Sequence, residues 1–185
     1  MNSQTKALKP FQVLLMLTGI LFLTVACNKE EDKIVLDFTI EVPGAWEYYL
    51  LEEDNFVYWA ISPLNSPDDS IREDLVITRE AASGTSLQTF YSRILDDLTE
   101  DETFQQLSEA DTSINGAPCK KLVHLQTLMS VSQSNDTTTL DVKDTKYVFV
   151  RNNRGFVVNC AALVTTYDTY RPVYDEIMSS FTFKN

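Results

Sequence analysis

The sequence is short of the residues that usually do chemistry. Histidine occurs once, at His124, and cysteine three times, at Cys27, Cys119 and Cys160. A nucleophile needs a base within reach, so dyads of these side chains are limited to pairings with His124. Neither Gly-x-Ser-x-Gly nor His-Glu-x-x-His is present, and the five glycines are too scattered to form a phosphate-cradling loop. Two thiols and one imidazole would need carboxylate help to hold structural zinc. Basic residues are also scarce, at 15 against 27 acidic ones for a net charge of −12. Neutralising nucleic-acid phosphates takes a clustered basic face, so nucleic acid is not an expected partner. The same excess opposes adsorption to anionic lipid, so any membrane attachment must come from acyl chains.

What is present begins with an asymmetric N-terminus. Lys6 and Lys9 are the only charges in the first 26 residues, and an uncharged run extends from Pro10 to Asn28. This is the basic-then-apolar order of a secretory signal peptide. The apolar part, Val13 to Ala26, is short of the roughly 20 residues of a membrane span, and a retained anchor helix is the alternative. The run ends Leu23-Thr24-Val25-Ala26-Cys27, which resembles the lipobox of bacterial lipoproteins. In that resemblance Ala26 is the small residue before the signal-peptidase cut. Cys27 becomes the new N-terminus, with a diacylglyceryl group on its thiol and an acyl group on its amine. Thr24 departs from the pattern, because leucine usually stands there and Leu23 lies one place earlier. No other cofactor is expected.

Removing the first 26 of the 185 residues leaves 159, enough for one domain. Residues 27–33 read as a tether and 34–185 as that domain. Within the tether, Lys29-Glu30-Glu31-Asp32 resembles the export signal that carries some Bacteroidetes lipoproteins to the outer face of the outer membrane. Its alternative is an ordinary hydrated linker. The expected location is therefore the cell envelope, with the outer membrane favoured and its periplasmic or surface side open.

Ile34, Leu36, Phe38, Ile40 and Val42 alternate with mostly polar residues, which predicts a strand that Pro43-Gly44 stops. Further strands are expected at 56–61, 75–79, 117–129, 137–150 and 154–164. Asn152-Asn153 tolerates the positive φ of a tight hairpin turn, and 130–136 reads as a hairpin tip. Leu87, Phe90, Tyr91, Ile94, Leu95 and Leu98 form a helical stripe after the cap candidates 83–86. A closing helix over 170–180 is expected, with Pro172 in its first turn. The acidic stretch Asp96 to Glu102 lacks the spaced oxygens and central glycine of a calcium loop and reads as a solvated helix end.

The fold class is thus α+β, an antiparallel sheet of about six to seven strands with two main helices packed on it. Phe38-Thr39-Ile40-Glu41-Val42-Pro43-Gly44-Ala45-Trp46 and Ile177-Met178-Ser179-Ser180-Phe181-Thr182-Phe183 resemble the opening and closing segments of PsbP-like (Mog1/PsbP/DcrB-like) domains. That resemblance implies an α/β/α sandwich and a non-enzymatic accessory or binding role with an unknown protein partner. It carries over no catalytic residue. A chaperone-like binder of secreted partners and a carboxylate-dependent hydrolase are the alternatives. The strand order would leave 137–150 between Cys119 and Cys160, about 9 to 10 Å apart, too far for a disulfide. Cys119 and His124 should point to opposite faces of their strand, which excludes a dyad.

Overall fold

The computed structural model describes residues 36–51, 55–64, 72–131 and 137–184. The chain divides into two compact units, Lys33–Thr127 with Asp141–Asn185, and Met1–Asp32 with Leu128–Leu140. The described part of the smaller unit comprises strand residues 128–131 and 137–140, of which Met129 and residues 137–139 are exposed. No helix among the described residues is long and apolar enough to cross a membrane.

The elements run β1 (Phe38–Thr39), β2 (Glu47–Leu50), β3 (Phe56–Ile61), β4 (Asp74–Ala81), α1 (Leu87–Thr99), β5 (Gln105–Ile114), β6 (Ala117–Val131), β7 (Thr137–Arg151), β8 (Arg154–Leu163), α2 (Tyr167–Ser180) and β9 (Thr182–Phe183). Seven strands form one antiparallel sheet in the order β2-β3-β4-β8-β7-β6-β5, and β1 pairs with β9 in a two-stranded ladder. The α+β expectation holds.

Strand alternation sorts the core into two layers. Leu75, Ile77, Cys119, Tyr147, Phe149, Phe156, Val158 and Cys160 join Tyr174, Ile177 and Met178 of α2 on one face. Leu122, Val148, Val150 and Val157 meet Phe90 and Tyr91 of α1 on the other. Helix α1 starts where Ser86 Oγ accepts from the Thr89 amide at 3.1 Å, an N-cap of the expected kind. Tight turns fall at asparagines with positive φ, Asn152 and Asn153 in the β7–β8 hairpin and Asn115 before Gly116 in the β5–β6 hairpin.

Several expectations need correction. The strand foreseen over 34–42 is reduced to β1, because it joins the two-residue β9 rather than the main sheet; residues 34 and 35 lie outside the described residues. Helix α2 begins at Tyr167, so Pro172 is its sixth residue and not in the first turn. The Asp168 carbonyl that its missing N–H would have met is on an exposed residue. Strands β2 and β5 were not foreseen: they are the two sheet edges, exposed along nearly their whole length, so alternating hydrophobicity is not required of them. Of the expected hairpin tip, 130 and 131 continue β6, and 132–136 lie outside the described residues.

Candidate functional site

On the α1 face of the sheet, polar side chains occupy positions that alternation reserves for core. Along β7 the residues on this face are Val142, Asp144, Lys146, Val148 and Val150, and Lys146 pairs across the ladder with Asn159 of β8. Lys146 Nζ donates to Asn159 Oδ1 at 2.7 Å, Asn159 Nδ2 donates to Asp144 Oδ1 at 3.0 Å, and Gln126 Nε2 donates to Asp144 Oδ2 at 2.6 Å. His124 Nε2 stands 3.9 Å from the same carboxylate oxygen. On β4, Asp74 Oδ2 accepts from Trp59 Nε1 at 3.2 Å. His124 and Asp144 are fully buried, and only 7% of Lys146 is exposed.

Burying an ammonium costs several kcal/mol unless it is paired. Burial pulls the Lys146 pKa down, and the charges of Asp144 and Asp74 hold it up. Burial pushes Asp74 up to about 7, with the nearby Asp144 charge adding to the rise and the Trp59 bond and Lys146 opposing it. Burial and then the Lys146 charge press His124 down to about 4. Among the described residues its two ring nitrogens meet no hydrogen-bond partner of good geometry, and the Phe104 ring lies 5.1 Å away, centroid to centroid. The arrangement therefore gathers a buried imidazole, a buried lysine and two buried carboxyl groups, of which Asp74 changes protonation near neutral pH. A carboxyl tuned to that range is suited to move a proton. Gln126, Asp144, Asn159 and Lys146, bonded to one another, also fasten β6, β7 and β8 together.

No nucleophile joins them from the thiols. Cys119 and Cys160 are free and buried with the α2 layer, on the face opposite His124, and β7 runs between their strands. Burial pushes the Cys119 thiol up to about 11 and raises Cys160 further. Both expectations about the cysteines, no disulfide and no dyad with His124, agree with this geometry. The residues singled out at the N-terminus, Ala26, Cys27, Lys29, Glu30, Glu31 and Asp32, lie outside the described residues. Asp74, Asp144, Lys146 and Asn159 were not foreseen. The available signal was the strand Val142-Lys143-Asp144-Thr145-Lys146-Tyr147-Val148, in which two charges take core-facing places.

The opposite end of the sheet carries a second charged group. Two adjoining depressions of about 360 and 220 Å³ share Asn152 and Arg154, with Arg79 and Glu80 in the first and Asp37, Phe156 and Phe183 in the second. Asp37 Oδ2 accepts from Arg79 Nη1 at 2.9 Å and from Arg154 Nη1 at 2.5 Å. Partial burial raises the Asp37 pKa, but the two guanidiniums outweigh it and hold the carboxyl below its usual value. This clamp fixes the chain beside β1 to β4 and β8, and with Lys184 N donating to Asp37 O at 2.8 Å it seals the β1–β9 ladder.

The seven-stranded antiparallel sheet, the small second sheet and the two helices make a PsbP-like fold. The chain is similar to cyanobacterial PsbP (CyanoP) from Synechocystis, with a TM-score of 0.51 and 12% identity over 86% of this chain and 98% of that one. It is also similar to LpqN of Mycobacterium tuberculosis, a protein involved in cell envelope biogenesis, with a TM-score of 0.55 and 14% identity over 80% and 83% of the two chains. A Pseudomonas aeruginosa protein of unknown function matches with a TM-score of 0.58 and 15% identity over 77% of this chain and 99% of that one. At such identities the likeness concerns the fold alone. No family model and no curated protein matches the sequence.

Proposed function

We propose that the protein is an exported, lipid-anchored accessory or binding protein of the cell envelope, with the lipid on Cys27 and no catalytic role. The observation that supports the non-catalytic part of this reading is the mutual engagement of the polar side chains: Lys146, Asn159, Asp144 and Gln126 are hydrogen-bonded to one another inside the sheet layer, as a structural network would be. Placement in the envelope rests on the order Lys6, Lys9, apolar run, Ala26-Cys27, and the envelope role of LpqN on a similar fold supports it. Placement in the outer membrane rests on Lys29-Glu30-Glu31-Asp32 alone. Metabolic labelling with palmitate tests the anchor. Cys27→Ala should lose the label and leave the membrane fraction, and an unchanged label would refute the lipid. Protease shaving of intact cells tests surface display.

The second reading, a carboxylate-dependent hydrolase, is favoured by one observation: Asp74 and Asp144 share a face and a lysine, and Asp74 is raised to about 7. A hydrolytic activity in purified protein that falls by at least 100-fold in Asp74→Asn, with the fold intact, would establish that reading over the first.

A further inference from the structure

We propose that the outer edge of β5 takes up an extended polypeptide segment carrying lysine or arginine at alternate positions, which adds to the sheet as an eighth strand. The proposal names the partner chemistry of the binding role above and rests on that role, but not on the lipid anchor. Strand β5 closes the sheet on one side, and all of its residues from Gln105 to Ser113 are exposed. Its ladder with β6 shifts once, between Gln106 and Ser108, and then runs regularly from Ser108↔Val123 to Ile114↔Ala117. Natural edges are usually blunted by proline, lysine or a bulge. Beyond the shift, the seven residues of the regular segment contain no proline and no lysine. About half of their amide and carbonyl groups point away from β6, in the geometry that strand addition uses.

Charge selects the occupant. From Ile94 to Cys119 the chain carries seven acids, Asp96, Asp97, Glu100, Asp101, Glu102, Glu109 and Asp111, and no lysine or arginine. Glu109 and Asp111 project from the same face of β5, and one ammonium serves both: Lys120 Nζ is 3.7 Å from Glu109 and 2.8 Å from Asp111, which is 79% exposed. A second copy of the chain is a poor fit in the registers centred on the charged residues. A two-fold axis at Ala110 would set Glu109 opposite the copy's Asp111, and an axis at Asp111 would set that residue against itself. Like charges directly opposite destabilise a ladder. Basic residues spaced two apart on an incoming strand would instead meet both carboxylates.

Hydrogen exchange on the full chain, read over 105–114, tests the edge with two synthetic octapeptides, one alternating lysine with threonine and one alternating glutamate with threonine. The lysine peptide should slow exchange in β5, and the glutamate peptide should not. Glu109→Gln with Asp111→Asn should weaken the lysine peptide by about tenfold and flatten its salt dependence. Ala110→Pro and Ser113→Pro sit at opposite parity, so one removes a donor to β6 and the other an outward donor. Whichever retains the native circular dichroism should abolish protection. Equal protection by both peptides, or a dimer protected along β5, would overturn the proposal. A lysine peptide that protects only another surface would overturn the edge assignment and leave the binding role standing, whereas a Cys27→Ala result bears on the anchor alone.

Discussion

His124 and Asp74 should pull the stability of the protein in opposite directions as pH falls, and separating them tests the reading of the sheet-face network. In the folded chain His124 is pressed to about 4 from an ordinary 6.5, first by burial and then by the Lys146 charge. Below pH 6.5 the unfolded chain binds a proton that the folded chain refuses, so stability is lost as the pH falls toward about 4. The difference corresponds to roughly 3 kcal/mol at pH 4. Asp74 runs the other way. Burial raises it to about 7 from 3.8, so its contribution is present at low pH and is lost as pH rises toward 7; its full size is about 4 kcal/mol, of which about 3 kcal/mol is lost between pH 4 and 7. The wild type should therefore show a shallow slope between pH 4 and 7, a difference of two steep ones. Urea unfolding at several pH values for wild type, His124→Leu and Asp74→Asn resolves them. Relative to wild type, His124→Leu should gain stability on acidification and Asp74→Asn should lose it. Taking differences cancels other carboxylates such as Asp37. Parallel pH profiles for all three proteins would refute the assigned environments.

Three further outcomes follow from particular contacts. A β-carbon added at Gly155 would overlap Cζ and Cε2 of the buried Phe90 ring, so Gly155→Ala should cost about 1 to 3 kcal/mol in urea unfolding; a cost under about 0.5 kcal/mol would show that α1 docks differently. In a Cys27→Ser background, thiol titration should find two reactive cysteines after denaturation and almost none in the native protein, because burial raises both Cys119 and Cys160; a count below two would indicate a disulfide. Asp37→Asn should lower stability at pH 7 by about 1 kcal/mol, a partly exposed clamp being worth little more, and the deficit should shrink as pH falls through the carboxylate range, where wild-type Asp37 becomes protonated too; a deficit constant from pH 7 to 3 would count against the clamp.

The elements legible in the sequence are those that pack into the two core layers. Strand β3 matches its expected bounds, and α1, β6, β7 and β8 match to within two residues at each end, because α1 carries a one-sided helical period and the strands are apolar-rich runs bounded by turn residues, β7 being buried on both faces over 144–149. Strands β2 and β5 bury little on either face, so selection on their side chains leaves no period to detect. Their place is set by backbone pairing with β3 and β6, which composition does not record. The start of α2 was placed late for a related reason: Pro172 suggests a helix beginning nearby, and the preceding turn is held instead by Tyr167, buried against the sheet and sharing a hydrogen bond with Thr145 at 2.5 Å.

The sheet-face network shows why site chemistry was harder to read than fold. In β7 the charges at 144 and 146 break an otherwise apolar face, and that break is visible in the sequence. Their partners sit 15 residues away at Asn159 for Asp144, 18 at Gln126, and further still at Asp74, on three different strands. Only register brings them together: Lys146 meets Asn159 because the β7–β8 turn is a two-residue Asn-Asn turn, and lengthening it by one residue would shift the ladder and turn one of the two side chains to the other face. The network is therefore specified by the hairpin turn as much as by its own residues. Inserting one glycine between Asn152 and Asn153 should uncouple Lys146 from Asn159 while leaving the composition of the site intact, and the opposing pH slopes of His124 and Asp74 should collapse with it. Slopes that survive the insertion would mean that the polar groups find one another without the ladder.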